Sequence, residues 1–304
     1  MIVTDPAEFL AAYSKDRYPV RAVATARAAF LVSPASATLA AESASDNRYM
    51  DLAQPIDPAR ALAQHVELAR RLGGDVPVIS FPGSAECPDD MFPNNVFGTA
   101  CGRFIVGHMR HAVRQREADR DDIRGFFRDT LGYRLVDLSH EPCIAELTGS
   151  LVIDRARGIG YCGLSERCDL AGARAMHDAF GLGLTFCFEL AEGEYHTNVV
   201  MALLASRMAL VAADGFRDAA VPQAIAQALD GAVVWLSRAQ KNAFSGNAIT
   251  LAPDRVWLST RGADALDSVQ RGAIERSGFA IADVELGEIE KAGGSLRCCV
   301  AEIF

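Results

Sequence analysis

No apolar run in this sequence is long enough to cross a bilayer, and the opening "MIVTDPAEFLAAYSKDRYPV" carries acids where a secretory leader carries a basic segment. A transmembrane span and a leader are therefore not expected, and a cytoplasmic location is. A basic face is also missing. Acids outnumber Lys and Arg by 39 to 30, and the arginines are interleaved with carboxylates, as in "RQREADRDDIRGFFRD". Nothing is left over to neutralise a phosphate backbone, so no nucleic-acid partner is expected. The eight cysteines form no CxxC pair, and no His-x-His spacing occurs. A zinc site and a disulfide framework are both poorly supported by that pattern.

What is present is an ordinary soluble composition, half hydrophobic and 23% charged, in which short β-rich runs alternate with helical ones. "AVATARAAFLV" reads as a strand region, "ARALAQHVELARRLGG" as a helix stopped by Gly-Gly, and "VPVISF" as a strand. "VFGTACGRFIVGH" reads as two strands joined by a turn, "DRDDIRGFFRDTLGY" as a helix and "RLVDLS" as a strand. The order strand, strand, helix, strand then recurs.

Aligning the first strand of each unit exposes a repeat. "NNVFGTACGRFIVG", "ELTGSLVIDRARGIGYCG", "HTNVVMALLASRMALVA", "GNAITLAPDRVWLST" and "CCVAEIF" begin at Asn94, Glu146, His196, Asn247 and Cys298, spaced by 52, 50, 51 and 51 residues. The last unit has one strand only. The N-terminal segment offers the missing parts, which predicts a single domain over 1–304: an α/β ring of five units closed by pairing the C-terminal strand with the N-terminal segment.

In such a ring the five leading residues converge on the axis as an amide, a carboxylate, an imidazole, a second amide and a thiol. That set suits nucleophilic catalysis: a thiolate attacks, an imidazole moves protons, and a carboxylate holds a cation. Alone, each has a plainer reading. A cysteine before an apolar strand is usually a small buried hydrophobe, Glu146 suits a solvated loop, and His196 suits a capped core imidazole. Strand alternation would send Cys299 to the side opposite Cys298. "ECPDDMFPNN" holds Asp89 and Asp90, which read either as turn formers before Pro93 or as a carboxylate loop for a guanidinium fork. Arg114 and Arg167, placed close after first strands, read as surface charge or as a clamp for a substrate carboxylate. Residues 33–51, long and Ala/Ser-rich, have the composition of a lid.

The segments "DDMFPNN", "ELTGSLVIDR", "GLSERCD", "YHTNVVM", "FSGNAITL" and "GGSLRCCVAEIF", in that order, resemble motifs of the guanidino-group modifying enzymes. That superfamily includes arginine deiminase, dimethylarginine dimethylaminohydrolase and the amidinotransferases, and its fold is the five-bladed α/β propeller called the pentein. Within it the chain looks most similar to the bacterial citrulline-utilisation, amidinotransferase-like branch. The resemblance implies Cys298 as nucleophile, His196 as general acid and base, and Glu146 with Asp89 as carboxylates for the substrate nitrogens. It also implies Arg114 and Arg167 on a substrate carboxylate, with Asn94 and Asn247 at the site, a small guanidino or ureido substrate, and no metal or organic cofactor.

Asn94 stands where the dimethylarginine hydrolases carry a glutamate. An amide offers a donor to a ureido oxygen, so citrulline, cleaved to ornithine, ammonia and carbon dioxide, is the favoured substrate at this stage. An amidinotransferase, an arginine or methylarginine deiminase-type hydrolase, and a non-catalytic metabolite-binding propeller are the alternatives.

Overall fold

The structure, a computed structural model, describes residues 1–16, 18–34 and 38–304. Four sheets are built alike. Phe97–Ala100, Arg103–Val106 and Arg134–Asp137 form one; Leu151–Asp154, Ile159–Leu164 and Leu184–Glu189 form the next. Met201–Leu204, Met208–Val211 and Val233–Trp235 form the third, and Ile249–Ala252, Arg255–Ser259 and Ala280–Val284 the fourth. In each, the first two strands are antiparallel and the second and third parallel. A parallel pair needs a crossover, and a helical segment supplies it each time.

The fifth sheet joins the two ends of the chain. Ala301–Ile303 runs antiparallel to Ala28–Val32, with Ala301 opposite Phe30 and Ile303 opposite Ala28, and Ala28–Val32 runs parallel to Val78–Phe81. The pentein ring expected from the repeat is thus present, and its fifth blade is shared between the termini.

The crossover helix of that blade, Pro58–Leu72, starts where Asp57 accepts from the N–H groups of Ala59 and Arg60, has proline at its first turn, and stops at Gly73. Between blades the core is aromatic. Phe127 stacks on Phe104 at 4.2 Å, Phe104 on Phe97 at 5.4 Å, and Phe30 leans on Phe127 at 5.3 Å, so rings anchor the shared blade to its neighbour, alongside hydrogen bonds through Thr99 and Tyr133.

Four local expectations are corrected. Residues 22–27 are not strand; pairing starts at Ala28. The helix expected from Asp119 to Tyr133 is a short α-helix, Asp121–Gly125, running into a π-turn, Phe126–Thr130, which places Phe127 against Phe104 and Phe126 edge-on to Phe81 at 5.5 Å. Cys298 does not open a strand: Leu296–Cys299 is one turn of helix and the strand begins at Ala301. Arg114 and Arg167 follow second strands, not first ones. One strand lay outside the sequence reading altogether. Ile2–Val3 adds in parallel to Leu184–Glu189, with Phe9 stacked on Phe186 at 4.5 Å.

Candidate active site

Single helical turns at Leu147–Ser150, Thr197–Val200 and Leu296–Cys299, and a 3₁₀ turn at Pro93–Asn95, precede four of the five first strands and carry the chemistry-bearing residues inward. Their inner ends are tied in a closed circuit about the axis. Thr148 donates to Asn94 Oδ1, Asn198 Nδ2 to the Thr148 carbonyl (3.2 Å), and Asn247 Nδ2 to the Asn198 carbonyl (2.8 Å). The Arg297 N–H donates to Asn247 Oδ1 (2.9 Å), and Arg297 Nη1 closes the circuit on Asn94 Oδ1 (2.6 Å).

This circuit corrects the register. Asn94 and Asn247 belong to one layer with Thr148, Asn198 and Arg297. Glu146 and His196 lie two residues earlier in their units, and Cys298 one residue later. Asn94 is fully buried, and its carbonyl oxygen is committed to Thr148 and Arg297.

At the N-cap position of two adjacent turns sit Glu146 and His196, both fully buried, with His196 Nε2 2.8 Å from Glu146 Oε2. Burial alone would raise the Glu146 carboxyl. The Arg167 guanidinium at 3.3 Å, the His196 hydrogen bond and the charge of Arg114 overcome that and hold it far below the usual carboxylate range. Burial holds His196 below its ordinary value, so the ring rests neutral. Its other nitrogen, Nδ1, is buried without a hydrogen-bond partner. Room for the ring depends on Gly149, where a Cβ would stand 2.8 Å from His196 Cε1 and 2.7 Å from Asn95 Oδ1. Any side chain there drives the imidazole out of place.

The Cys298 thiol is buried, receives Asn247 Nδ2 at 3.4 Å and lies 3.8 Å from Asn198 Oδ1. Burial pushes it above its ordinary value, opposed by the Ser295 backbone, by Asn247 and by the positive charges of Arg297 and Arg114. The preceding loop is shaped by two glycines. Gly293 has φ 77°, and a Cβ there would meet Asn47 Nδ2 at 2.4 Å; one on Gly294 would meet the Phe92 ring at 2.9 Å. Cys299 packs in the apolar cluster with Leu31, Ile289 and Leu296, a cluster that Cys298 also borders.

Cys298 lines a narrow pocket of about 20 Å³ together with Asp89, Asn95, Arg114, Arg167 and Tyr195. That is room for a water and no more. Asp89 Oδ2 accepts from Ser43 at 2.5 Å, while Asp89 Oδ1 is buried and unpartnered. Arg114 forms a buried fork on Glu117 (2.8 and 2.9 Å) and reaches the carbonyls of Asp89 and Phe92, bracing the acidic loop. Glu146, which pairs with Arg167, and His196 are not in the wall of this pocket.

The described part of segment 33–51 closes the site; residues 35–37 lie outside the described residues. Ser43, Asn47 and Met50 line the cavity, Asn47 Nδ2 donates to the Gly293 carbonyl (3.2 Å), and Arg48 pairs with Glu194 (2.5 Å). Within it the sequence reading missed Asp46. Its carboxylate takes Arg167 Nε at 2.9 Å and Nη2 at 2.5 Å, and His111 Nε2 lies 3.0 Å away. Tyr195 was missed too, although it precedes His196; its hydroxyl donates to the Gly293 carbonyl at 2.5 Å. No signal in the sequence singles out Asp46, because its partners lie 65 and 121 residues away.

Comparisons with known proteins identify the family. A family model described as N,N dimethylarginine dimethylhydrolase, eukaryotic, matches residues 33–304. The N(G),N(G)-dimethylarginine dimethylaminohydrolase of Mycobacterium tuberculosis is 28% identical over 265 residues, covering 84% of this chain and 80% of that protein. An uncharacterised Bacillus subtilis protein, YkgA, is 23% identical over 244 residues, 79% of each chain. Among solved structures, the substrate-bound N-terminal domain of ArgZ, a cyanobacterial arginine dihydrolase, has a TM-score of 0.79 at 17% identity, covering 91% of this chain and 97% of that one. A dimethylarginine dimethylaminohydrolase adduct has a TM-score of 0.70 at 19% identity, covering 91% and 100%. The family match covers nearly the whole chain: the chain belongs to the N,N dimethylarginine dimethylhydrolase family, within the guanidino-group modifying pentein superfamily.

Proposed function

We propose that this protein is a cysteine hydrolase that cleaves a carbon–nitrogen bond of a small guanidino compound of the arginine type. One observation carries the reading: the Cys298 thiol shares a narrow pocket with the buried carboxylate Asp89, one of whose oxygens lacks a donor. A guanidinium supplies donors and positive charge to that oxygen and sets its carbon before the sulfur. The dimethylaminohydrolase and arginine dihydrolase named among its relatives and structural neighbours act on compounds of this class.

The Cys298 thiol passes its proton to His196, and the thiolate so formed adds to the guanidinium carbon, giving a tetrahedral adduct. The carbon–nitrogen bond then breaks, and its electron pair leaves with the amine nitrogen, which takes a proton from His196. A thiouronium stays on Cys298. Water gives a proton to His196 and adds to the same carbon, the carbon–sulfur bond breaks, and a ureido product departs as the thiolate re-forms. Glu146 orients the imidazole and stabilises its protonated form throughout. Arg167, once free of Asp46, is placed to take a substrate carboxylate bidentately.

The preference for citrulline rested on Asn94 offering its amide to a ureido oxygen. With its oxygen on Thr148 and Arg297 and its Nδ2 directed at Asn95 Oδ1 (3.4 Å), Asn94 belongs to the axial circuit instead. The donor argument falls, and the unpartnered oxygen of Asp89 favours a group that supplies donors and positive charge. Membership of a hydrolase family favours water over an acceptor amine. The test is a panel of arginine, methylated arginines and citrulline, scored for ammonia and alkylamine release and, after acid quench, for added mass on Cys298. Turnover of a guanidino compound with a Cys298 adduct is expected; turnover of citrulline alone, or no adduct with any member, rejects the reading.

A further inference from the structure

On the propeller face where first strands end, away from the Cys298 cavity, lies a second and far larger hollow of about 970 Å³. Its floor is the turn after Asp154 together with Phe180 and Phe304, and its rim is residues 21–27, the stretch that fails to pair as strand. Its chemistry runs against the rest of the molecule. In a chain of net charge −9, four arginines line it, Arg21, Arg27, Arg155 and Arg157, against one acidic side chain, Asp16.

Only Arg157 has a carboxylate partner, Asp154 at 3.0 Å. Arg21, Arg27 and Arg155 have none among the described residues. Arg155 is the informative one. Its guanidinium lies over the Phe304 ring at 4.1 Å and the Phe180 ring at 5.2 Å, and its one side-chain hydrogen bond runs from Nη1 to the Thr99 carbonyl at 3.1 Å. Glu302, the carboxylate that acts on it through space, is held by Arg297 at 2.8 Å. The main-chain oxygen of Phe304 is taken by the Tyr133 hydroxyl. Partial burial, opposed by the charge of Glu302, pushes Arg155 down to about 10. A guanidinium set between aromatic rings with most of its donors idle is costly unless something completes it.

We propose that this hollow is a binding site for a small organic anion, an apolar or aromatic body carrying a carboxylate or phosphate that pairs with Arg155 while its body rests on Phe180 and Phe304. The exposed Arg21 and Arg27 at the rim add long-range attraction. Volume fits the reading, since small-molecule pockets span roughly 300–1,000 Å³ and are apolar with a few placed polar groups. The position gives it reach. Arg155 follows the strand whose leading turn carries Glu146, and Phe304 follows the strand whose leading turn carries Cys298.

The test is calorimetric titration of the full chain with benzoate, phenyl phosphate and, as the uncharged control, benzyl alcohol. At least one anion is expected to bind saturably with a stoichiometry of one while benzyl alcohol does not, and the tighter anion identifies the headgroup. Arg155→Met, whose side chain fills the apolar floor, should weaken that anion about tenfold or more, as loss of a charge-assisted pair requires. It should leave guanidino turnover unchanged. If Arg155→Met does not fold, the paired Arg21→Gln, Arg27→Gln variant, altered only at exposed positions, should weaken binding and flatten its dependence on salt. Absence of saturable binding by either anion, equal binding of benzyl alcohol, or affinity unchanged in the variants overturns the proposal.

Discussion

His196 Nε2 lies 2.8 Å from Glu146 Oε2, with both side chains fully buried and the carboxylate further held by Arg167. Fifty residues separate the two in sequence, one blade of the ring. The pair follows a familiar logic: a carboxylate fixes which imidazole nitrogen carries the proton and stabilises the charge that forms when the other nitrogen accepts one. Glu146→Gln keeps the shape and removes the charge. It should lower kcat about 100-fold or more while KM changes little, because proton transfer suffers and the cavity wall does not. Loss confined to KM would instead make Glu146 a substrate-binding group.

Neighbouring residues on a helical turn point about 100° apart. Cys298→Ser should therefore abolish turnover and adduct formation, whereas Cys299→Ala should keep turnover near wild type and lose stability, of the order of 1 kcal/mol for a small deletion in an apolar cluster. Equal loss of activity in both, with melting unchanged, would mean the thiols have been assigned the wrong way round.

Burial raises the Cys298 thiol above its ordinary value near 9. The free enzyme at neutral pH is then mostly thiol, and its reactive fraction grows about tenfold per pH unit until that raised value is reached. Iodoacetamide labelling of Cys298, followed by peptide mass, should accelerate through pH 9 without levelling. A plateau at or below neutrality would show a thiolate already stabilised in the resting enzyme.

Asp46 occupies the fork of Arg167 that a substrate carboxylate would need. Substituting Asp46→Asn weakens a charge-assisted pair, so KM for a carboxylate-bearing guanidino substrate should fall several-fold, whereas KM for an analogue lacking the carboxylate should not. A rise in KM for both would mean that Asp46 holds the closed site together and does not compete with substrate.

The strand Ala301–Ile303 is the partner of Ala28–Val32 and packs on Phe30 and Phe97. Removing residues 299–304 exposes that edge and the aromatic core behind it. The truncated chain should be insoluble or lack a cooperative melt; a soluble form melting cooperatively near the full-length temperature would show that the ring closes by other means.

Much of this architecture was legible in the sequence because it is periodic. A unit of about 51 residues fixes strand, strand, helix, strand, and a final unit with one strand demands completion by the N-terminus. Cys298, His196 and Glu146 were legible for the same reason, as three reactive groups at nearly matched places. Direction was not legible. One turn of helix stands between Cys298 and its strand, and a residue's facing rotates by about 100° per position there, against alternation in a strand. A repeat known to within two residues therefore cannot say which side chain faces the cavity. Asn94 and Asn247 consequently fell in with Glu146 and His196, although they tie the axial circuit one layer away. Asp46 on Arg167, Asp89 with an unpartnered oxygen, and Arg155 alone between two rings depend on contacts across 121 residues or on the absence of a contact. Sequence fixes local geometry and period; only the closed ring decides which charges meet and which are left without a partner.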